Sequence, residues 1–168
     1  MHRVLFLRYF LPFLLVLTLS GCGFHLRGDI NLPENRQVMY LQGVNQNGPF
    51  GAELASVLRG SGVKLVNTPI AAQTVLQVTE PVDDRRVLSV SGTTGKVREY
   101  EILVSLNVSL KDNKGHVIIP NQVLSRTRDF TFDETGLLGK VTEEDVLRQE
   151  MRRELIQQIL RLLRSQAA

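Results

Sequence analysis

Cys22 is the only cysteine in this 168-residue chain, and its neighbours give it a chemistry. A single thiol cannot form a disulfide within the chain, which removes the usual reason for an exported protein to keep one. It stands after an apolar run (residues 10–19) and two small residues, Ser20 and Gly21, as a nucleophile open to modification. The other reactive types are scattered. His25 and His116 lie far apart, with no carboxylate cluster at metal-ligand spacing, so they read as surface histidines and no metal site is expected. No Gly-x-Ser-x-Gly elbow appears, and Ser89-Val-Ser91-Gly92 lacks its first glycine. Gly92-Thr-Thr-Gly95-Lys96 has the wrong spacing for a phosphate loop and falls between strand patterns instead of opening a helix. Asp83-Asp84 reads as a solvated turn and Glu143-Glu144-Asp145 as a helix start. No catalytic residue can be named, so no enzyme and no cofactor is expected. What remains is a set of cations at turns: Arg85, Arg86, Lys96, Arg98 and Lys140. Singly, such charges do little more than keep a surface soluble. If one end of a sheet gathered Lys96, Arg98 and Lys140, they could hold phosphorylated anions.

The first 21 residues follow the order that export requires. Arg3 and Arg8 precede the apolar run, which is well short of the roughly 20 residues needed to span a bilayer. Leu19-Ser20-Gly21-Cys22 resembles a bacterial lipobox. That resemblance implies a diacylglyceryl thioether on Cys22, cleavage after Gly21 and acylation of the new amine. The covalent lipid on Cys22 would anchor the chain stably, since each buried CH₂ contributes about 0.8 kcal/mol. Gly23 stands where lipoproteins kept in the inner membrane carry aspartate, which directs this one to the outer membrane, periplasmic side. Removing residues 1–21 takes Arg3 and Arg8 away, so 20 Lys and Arg against 17 Asp and Glu become 18 against 17. A charge so near zero argues against a nucleic-acid partner.

The elements that must position these residues follow from periodicity. Residues 22–36 are expected as a lipidated tether and 37–168 as one domain. A strand is expected at 37–42. Asn47-Gly48-Pro49 then opens a helix whose face carries Phe50, Leu54, Val57 and Leu58, with Gly60 and Gly62 as the stop. A brief extended piece at 63–66 follows. Strand patterns cover 75–82 and 87–91, broken by Pro81 and the charged residues 83–86; proline there points to an edge strand or a bulge. Residues 91–96 read as a hairpin turn. Tyr100, Ile102, Val104, Leu106, Val108 and Leu110 then alternate with mostly polar residues, which means one buried face. Asp112 to Gly115 turns the chain into a further strand at 117–132. After a loop at 133–141, Thr142 is the expected N-cap of a helix with the stripe Leu147, Met151, Leu155, Ile159 and Leu162. The order β-α-β-β-β-α predicts an α+β fold, a two-layer sandwich. Its sheet is expected to have about four mostly antiparallel strands with two helices on one face, the first crossover a right-handed βαβ unit.

Several short motifs resemble one family. Cys22-Gly-Phe-His-Leu-Arg-Gly28, Asn47-Gly48-Pro49, Arg98-Glu-Tyr100 and Phe130-Thr-Phe-Asp133 look like the LPS-assembly lipoproteins, LptE. The resemblance spans nearly the whole chain after residue 21. It implies a non-enzymatic outer-membrane lipoprotein that plugs the lumen of the β-barrel LptD and helps that barrel assemble. It also implies binding of lipopolysaccharide and assistance in inserting it into the outer leaflet. Lys96, Arg98 and Lys140 are the candidate lipopolysaccharide contacts, Lys140 fitting the resemblance best. A scaffold or binding module of another envelope complex is the alternative, and a small hydrolase has no nucleophile–base pair to rest on.

Overall fold

The computed structural model describes residues 36–131 and 137–165, and the side chains of 137–142 are not part of that description. The signal, Cys22, His25, the tether as far as residue 35 and residues 133–136 of the expected loop therefore lie outside the described residues.

The chain runs β1 (Val38–Gln42), α1 (Pro49–Gly60), β2 (Lys64–Val66), one 3₁₀ turn (Pro69–Ala71), β3 (Thr74–Val78), β4 (Val82–Val90), β5 (Val97–Asp112), β6 (Val117–Thr131) and α2 (Leu137–Ser165). All six strands form one mixed sheet. β1 pairs with β2 and β3 in parallel, and every contact of β5 is antiparallel. The expected α+β sandwich is present, with two more strands than the four foreseen.

β5 organises the sheet. One of its edges takes β3 over Val108 to Asp112 and β4 over Val97 to Ser105, while β6 lines the other. β3 and β4 are thus successive pieces of one path, parted around Pro81. Thr79 bridges the gap, its N–H donating to the Asn107 carbonyl (3.1 Å) and its Oγ1 accepting from the Asn107 N–H (3.0 Å). Among the described residues β4 has no strand partner besides β5, so the proline marks an edge, as expected.

The even-numbered residues of β5 from Ile102 to Leu110 are buried, and so are Met39, Leu41, Leu76, Val78, Ile119, Leu124 and Phe130 from the neighbouring strands. Leu54 and Leu58 of α1 and Met151, Leu155, Ile156, Ile159, Leu160 and Leu163 of α2 join the same cluster, so both helices cover one face. Each such side chain contributes about 1.5–3 kcal/mol on leaving water. The other face carries Gln42, Gln77, Ser105, Asn107 and Thr127, and no helix of the described residues lies on it.

Two expectations are corrected. Residues 83–86 are not a turn but the middle of β4. The last helix begins at Leu137, so Thr142 lies inside it instead of capping it. Leu137, Leu138 and Lys140 before Thr142 are good helix formers, and the helix runs through them and Gly139 past that threonine.

The β5–β6 turn titrates. The Asp112 carboxylate accepts from the N–H of Lys114 and of His116 and faces His116 Nδ1, each at 2.8 Å. Burial pushes its carboxyl up, but these hydrogen bonds and the nearby imidazole outweigh that and hold it below its ordinary value of 3.8. A carboxyl lowered by folding contributes stability that is complete above its ordinary value and disappears as pH falls through the folded value. Amide exchange at Lys114 and His116 should therefore accelerate, beyond the intrinsic rate, only as pH falls below 3.8. In Asp112→Asn that acid-dependent step should vanish; a step of unchanged size would refute the assignment.

Candidate functional site

Topology collects the cationic segments at one end of the sheet. β4 ends at Val90, β5 begins at Val97, β6 ends at Thr131 and α2 begins at Leu137, so all four meet there. The opposite end holds the β5–β6 turn and the start of β1. There the Asn113 N–H donates to the Gln73 carbonyl (3.0 Å) and the Gln73 N–H to the Val38 carbonyl (2.8 Å). The 16 residues of β5 separate the two ends by roughly 50 Å.

Lys96 closes the β4–β5 turn. Its carbonyl accepts from the Ser91 N–H (2.7 Å), and Gly95 before it has φ +68°, a left-handed turn position suited to glycine. Arg98 lies where the β4–β5 register shifts between Ser89 and Val90, and both Lys96 and Arg98 are exposed. Lys140 falls in the first turn of α2, at the same end, its side chain outside the description. The end that carries the hairpin tip therefore also carries the start of the last helix. Cys22 lies outside the described residues.

Below this tip an ion-pair lattice joins β4 to α2, which reading the sequence had not anticipated. In β4, Asp83 and Arg85 point to α2, while Arg86 on the bare face meets Glu101 at 2.5 Å. Asp83 receives Arg152 (2.5 Å) and Arg148 (3.4 Å). Arg148 also meets Glu144 at 2.6 Å, and Arg85 stands 3.6 Å from Glu144 with its guanidinium 4.4 Å over the Tyr100 ring. On β6, Arg126 (3.0 Å) and Arg128 (2.6 Å) share Glu154. Only the register that puts β4 beside β5, and so under α2, brings Asp83 to Arg152, 69 residues away.

The bare face holds a shallow groove of about 620 Å³ bordered by Gln77, Thr79, Asn107, Ser109, Lys111 and Asn121. Its donors are amides, hydroxyls and the Lys111 ammonium, without a nucleophile–base pair. Among the described residues no three His, Cys, Asp or Glu stand where they could hold a metal. No helix among the described residues is long and apolar enough to cross a membrane.

A bacterial lipoprotein domain has this architecture. The chain superimposes on lipoprotein B from Nitrosomonas europaea with a TM-score of 0.68 and 29% identity, covering 83% of this chain and 88% of that one. The family LptE, described as lipopolysaccharide-assembly, matches residues 36–163. The LPS-assembly lipoprotein LptE of Pectobacterium atrosepticum is 33% identical over 158 residues, 89% of this chain and 80% of that protein. That of Yersinia enterocolitica is 32% identical over 163 residues, 96% and 76%. The chain belongs to the LptE family of lipopolysaccharide-assembly proteins.

Proposed function

We propose that this protein is a non-enzymatic plug of an outer-membrane β-barrel, LptD in this family, and that it binds lipopolysaccharide at the tip formed by Lys96, Arg98 and Lys140. A lipid on Cys22 would hold it at the periplasmic side of the outer membrane. The observation that carries this reading is the polarity of the domain. The chain enters from the tether side at β1, beside the β5–β6 turn, and the three cation-bearing segments meet at the far end. The described chain starts at one end of the sheet and the cation-bearing segments lie at the other, roughly 50 Å away, so a single small domain would reach through a barrel lumen toward a phosphorylated lipid. The polar bare face and its groove suit a polar barrel wall.

Two measurements test it. Gently solubilised membranes should yield this protein together with a large outer-membrane barrel; recovery as a lone, stable lipoprotein would count against the plug. In the second, lipopolysaccharide binding is compared with that of the triple variant Lys96→Glu, Arg98→Glu, Lys140→Glu. Reversing three charges should weaken binding by about tenfold or more, with a smaller gap at high salt. A folded triple variant that binds as the parent does would remove these residues from the site.

A further inference from the structure

Arg85 is held less completely than the arginines around it. On edge strand β4 it lies opposite Ile102, on the face toward α2. Its nearest carboxylate oxygen, on Glu144, is 3.6 Å away, too far for a hydrogen bond. Among the described residues its side chain donates no hydrogen bond, and it is 48% exposed. Its neighbours are better served: Arg148 has Glu144 and Asp83, and Arg152 has Asp83. Three guanidiniums therefore share two carboxylates, and the geometry leaves the uncompensated charge on Arg85.

What surrounds that charge selects a ligand class. The Arg85 guanidinium carbon lies 4.4 Å over the Tyr100 ring, and a guanidinium stacked on an aromatic face keeps the planar donor fork that suits bidentate phosphate recognition. Further along β4 toward the tip, Val87 on the face of Arg85 is 49% exposed, and Leu88 and Val90 after it are 44% and 55% exposed, so apolar surface adjoins the cation. A phosphate with an attached apolar chain satisfies both features, whereas a free anion satisfies only the first.

We propose that Arg85 accepts the phosphate of a phosphorylated amphiphile in exchange for Glu144, so that ligand binding loosens the leading turns of α2 from β4. The proposal rests on the lipopolysaccharide reading above and extends it to a residue outside the tip set. A phosphate carries more charge and more acceptor oxygens than a carboxylate, so it wins the exchange. Glu144 keeps Arg148 but loses its hold on the strand, and the contact between β4 and α2 then depends on Asp83.

The test uses the chain from residue 22 onward, with purified lipopolysaccharide and the same lipid after chemical removal of its phosphates. Arg85→Gln should weaken binding of the intact lipid by about fivefold. Glu144→Gln removes the competing carboxylate and should strengthen binding by about threefold. Neither substitution should alter binding of the dephosphorylated lipid, and intact lipid should speed hydrogen exchange over residues 143–148 of the parent chain. A purely structural pair would move both variants in the same direction. Same-direction changes, an unchanged Arg85→Gln, or slower exchange at 143–148 would overturn the proposal while leaving the tip reading intact. A parent chain that fails to bind lipopolysaccharide overturns both. Inorganic phosphate that displaces the lipid at equal concentration would show recognition of phosphate alone and overturn the amphiphile. If Arg85→Gln does not fold, the opposite-signed effect in Glu144→Gln still decides.

Discussion

Replacing Gly51 by alanine should lower the melting temperature by about 10 °C, a loss of about 3 kcal/mol. The usual rule predicts the opposite sign. Glycine within a helix costs roughly 0.5–1 kcal/mol against alanine, so Gly→Ala in α1 ought to stabilise. Here space decides instead. A Cβ on Gly51 would lie 2.2 Å from the Asn45 carbonyl oxygen, 2.8 Å from its carbon and 3.2 Å from the Gln46 Cα. Those are backbone atoms, and they are pinned. The Asn45 N–H donates to Glu80 Oε1 (2.7 Å), and its carbonyl accepts from the Gly48 N–H (2.9 Å). Its Oδ1 accepts from the Asn47 N–H (3.0 Å), and Gln46 Nε2 donates to the Leu41 carbonyl (3.2 Å). With the turn fixed, α1 must lift, and Phe50 and Leu54 beside Gly51 lose their packing against the core. Gly60 is the control. Nothing lies within 4 Å of a Cβ there, so Gly60→Ala should change the melting temperature by no more than about 2 °C. Thermal melts followed by circular dichroism compare the two. A Gly51→Ala protein as stable as its parent would mean that the turn is free to move.

Gly51 also shows which features a linear reading reaches. Its helix is legible because Phe50, Leu54 and Leu58 recur at helical spacing after Asn47-Gly48-Pro49, with Pro49 at the first helical position. Its intolerance to a side chain is not legible, because the obstacle is a turn whose position depends on Glu80. The same division runs through the molecule. The alternation in β5 and the stripe in α2 are local periodicities: Ile102 to Leu110 in alternation and Met151, Leu155 and Ile159 are buried as the pattern marks. Tyr100, Leu147 and Leu162 are only half-buried, whereas Ile156, Leu160 and Leu163 complete the buried face. Residues 83–86 look like a turn because four consecutive charges have no local partner. Their partners, Glu101, Glu144, Arg148 and Arg152, become neighbours only after the sheet and α2 assemble. The strand count went low for a related reason: β2 is three residues long, and the break at Pro81 divides one path into β3 and β4.

The candidate site follows the same logic. Lys96, Arg98 and Lys140 are visible one at a time as cations near turns, but their common end is a property of topology. β4, β5 and β6 are antiparallel in succession, so the tip of the β4–β5 hairpin and the exit of β6 must fall together. The helix that follows β6 must then start at that end. Arg85 stayed hidden among charges because its distinction is a missing hydrogen bond, which no sequence pattern encodes.

Substituting Leu155 by alanine should cost about 3–4 kcal/mol, the other large effect expected in this protein. α2 is zoned along its length. Ion pairs of Glu144, Arg148, Arg152 and Glu154 hold its leading and middle turns to the sheet, and from Met151 onward the apolar Leu155, Ile156, Ile159, Leu160 and Leu163 bury its middle and trailing turns. Leu155 is 0% exposed in the apolar half, where its removal leaves a cavity that close-packed neighbours fill only in part. The ion-paired half responds differently. Arg152 is 37% exposed on its side chain, and an exposed pair is worth about 0–1 kcal/mol, so Arg152→Gln should cost about 1 kcal/mol at most. Salt separates the halves further, since screening weakens surface pairs and leaves apolar burial in place. In denaturant titrations the Leu155→Ala deficit should therefore persist at high salt, while the small Arg152→Gln deficit shrinks. A Leu155→Ala deficit below about 1 kcal/mol would place that residue outside the core. A salt-sensitive deficit of the predicted size would mean instead that charge, not packing, fixes the trailing half of α2. The zoning has a functional consequence. A helix fastened firmly at its trailing end and by exchangeable ion pairs at its leading end can yield to an anionic ligand at the tip without unfolding the domain.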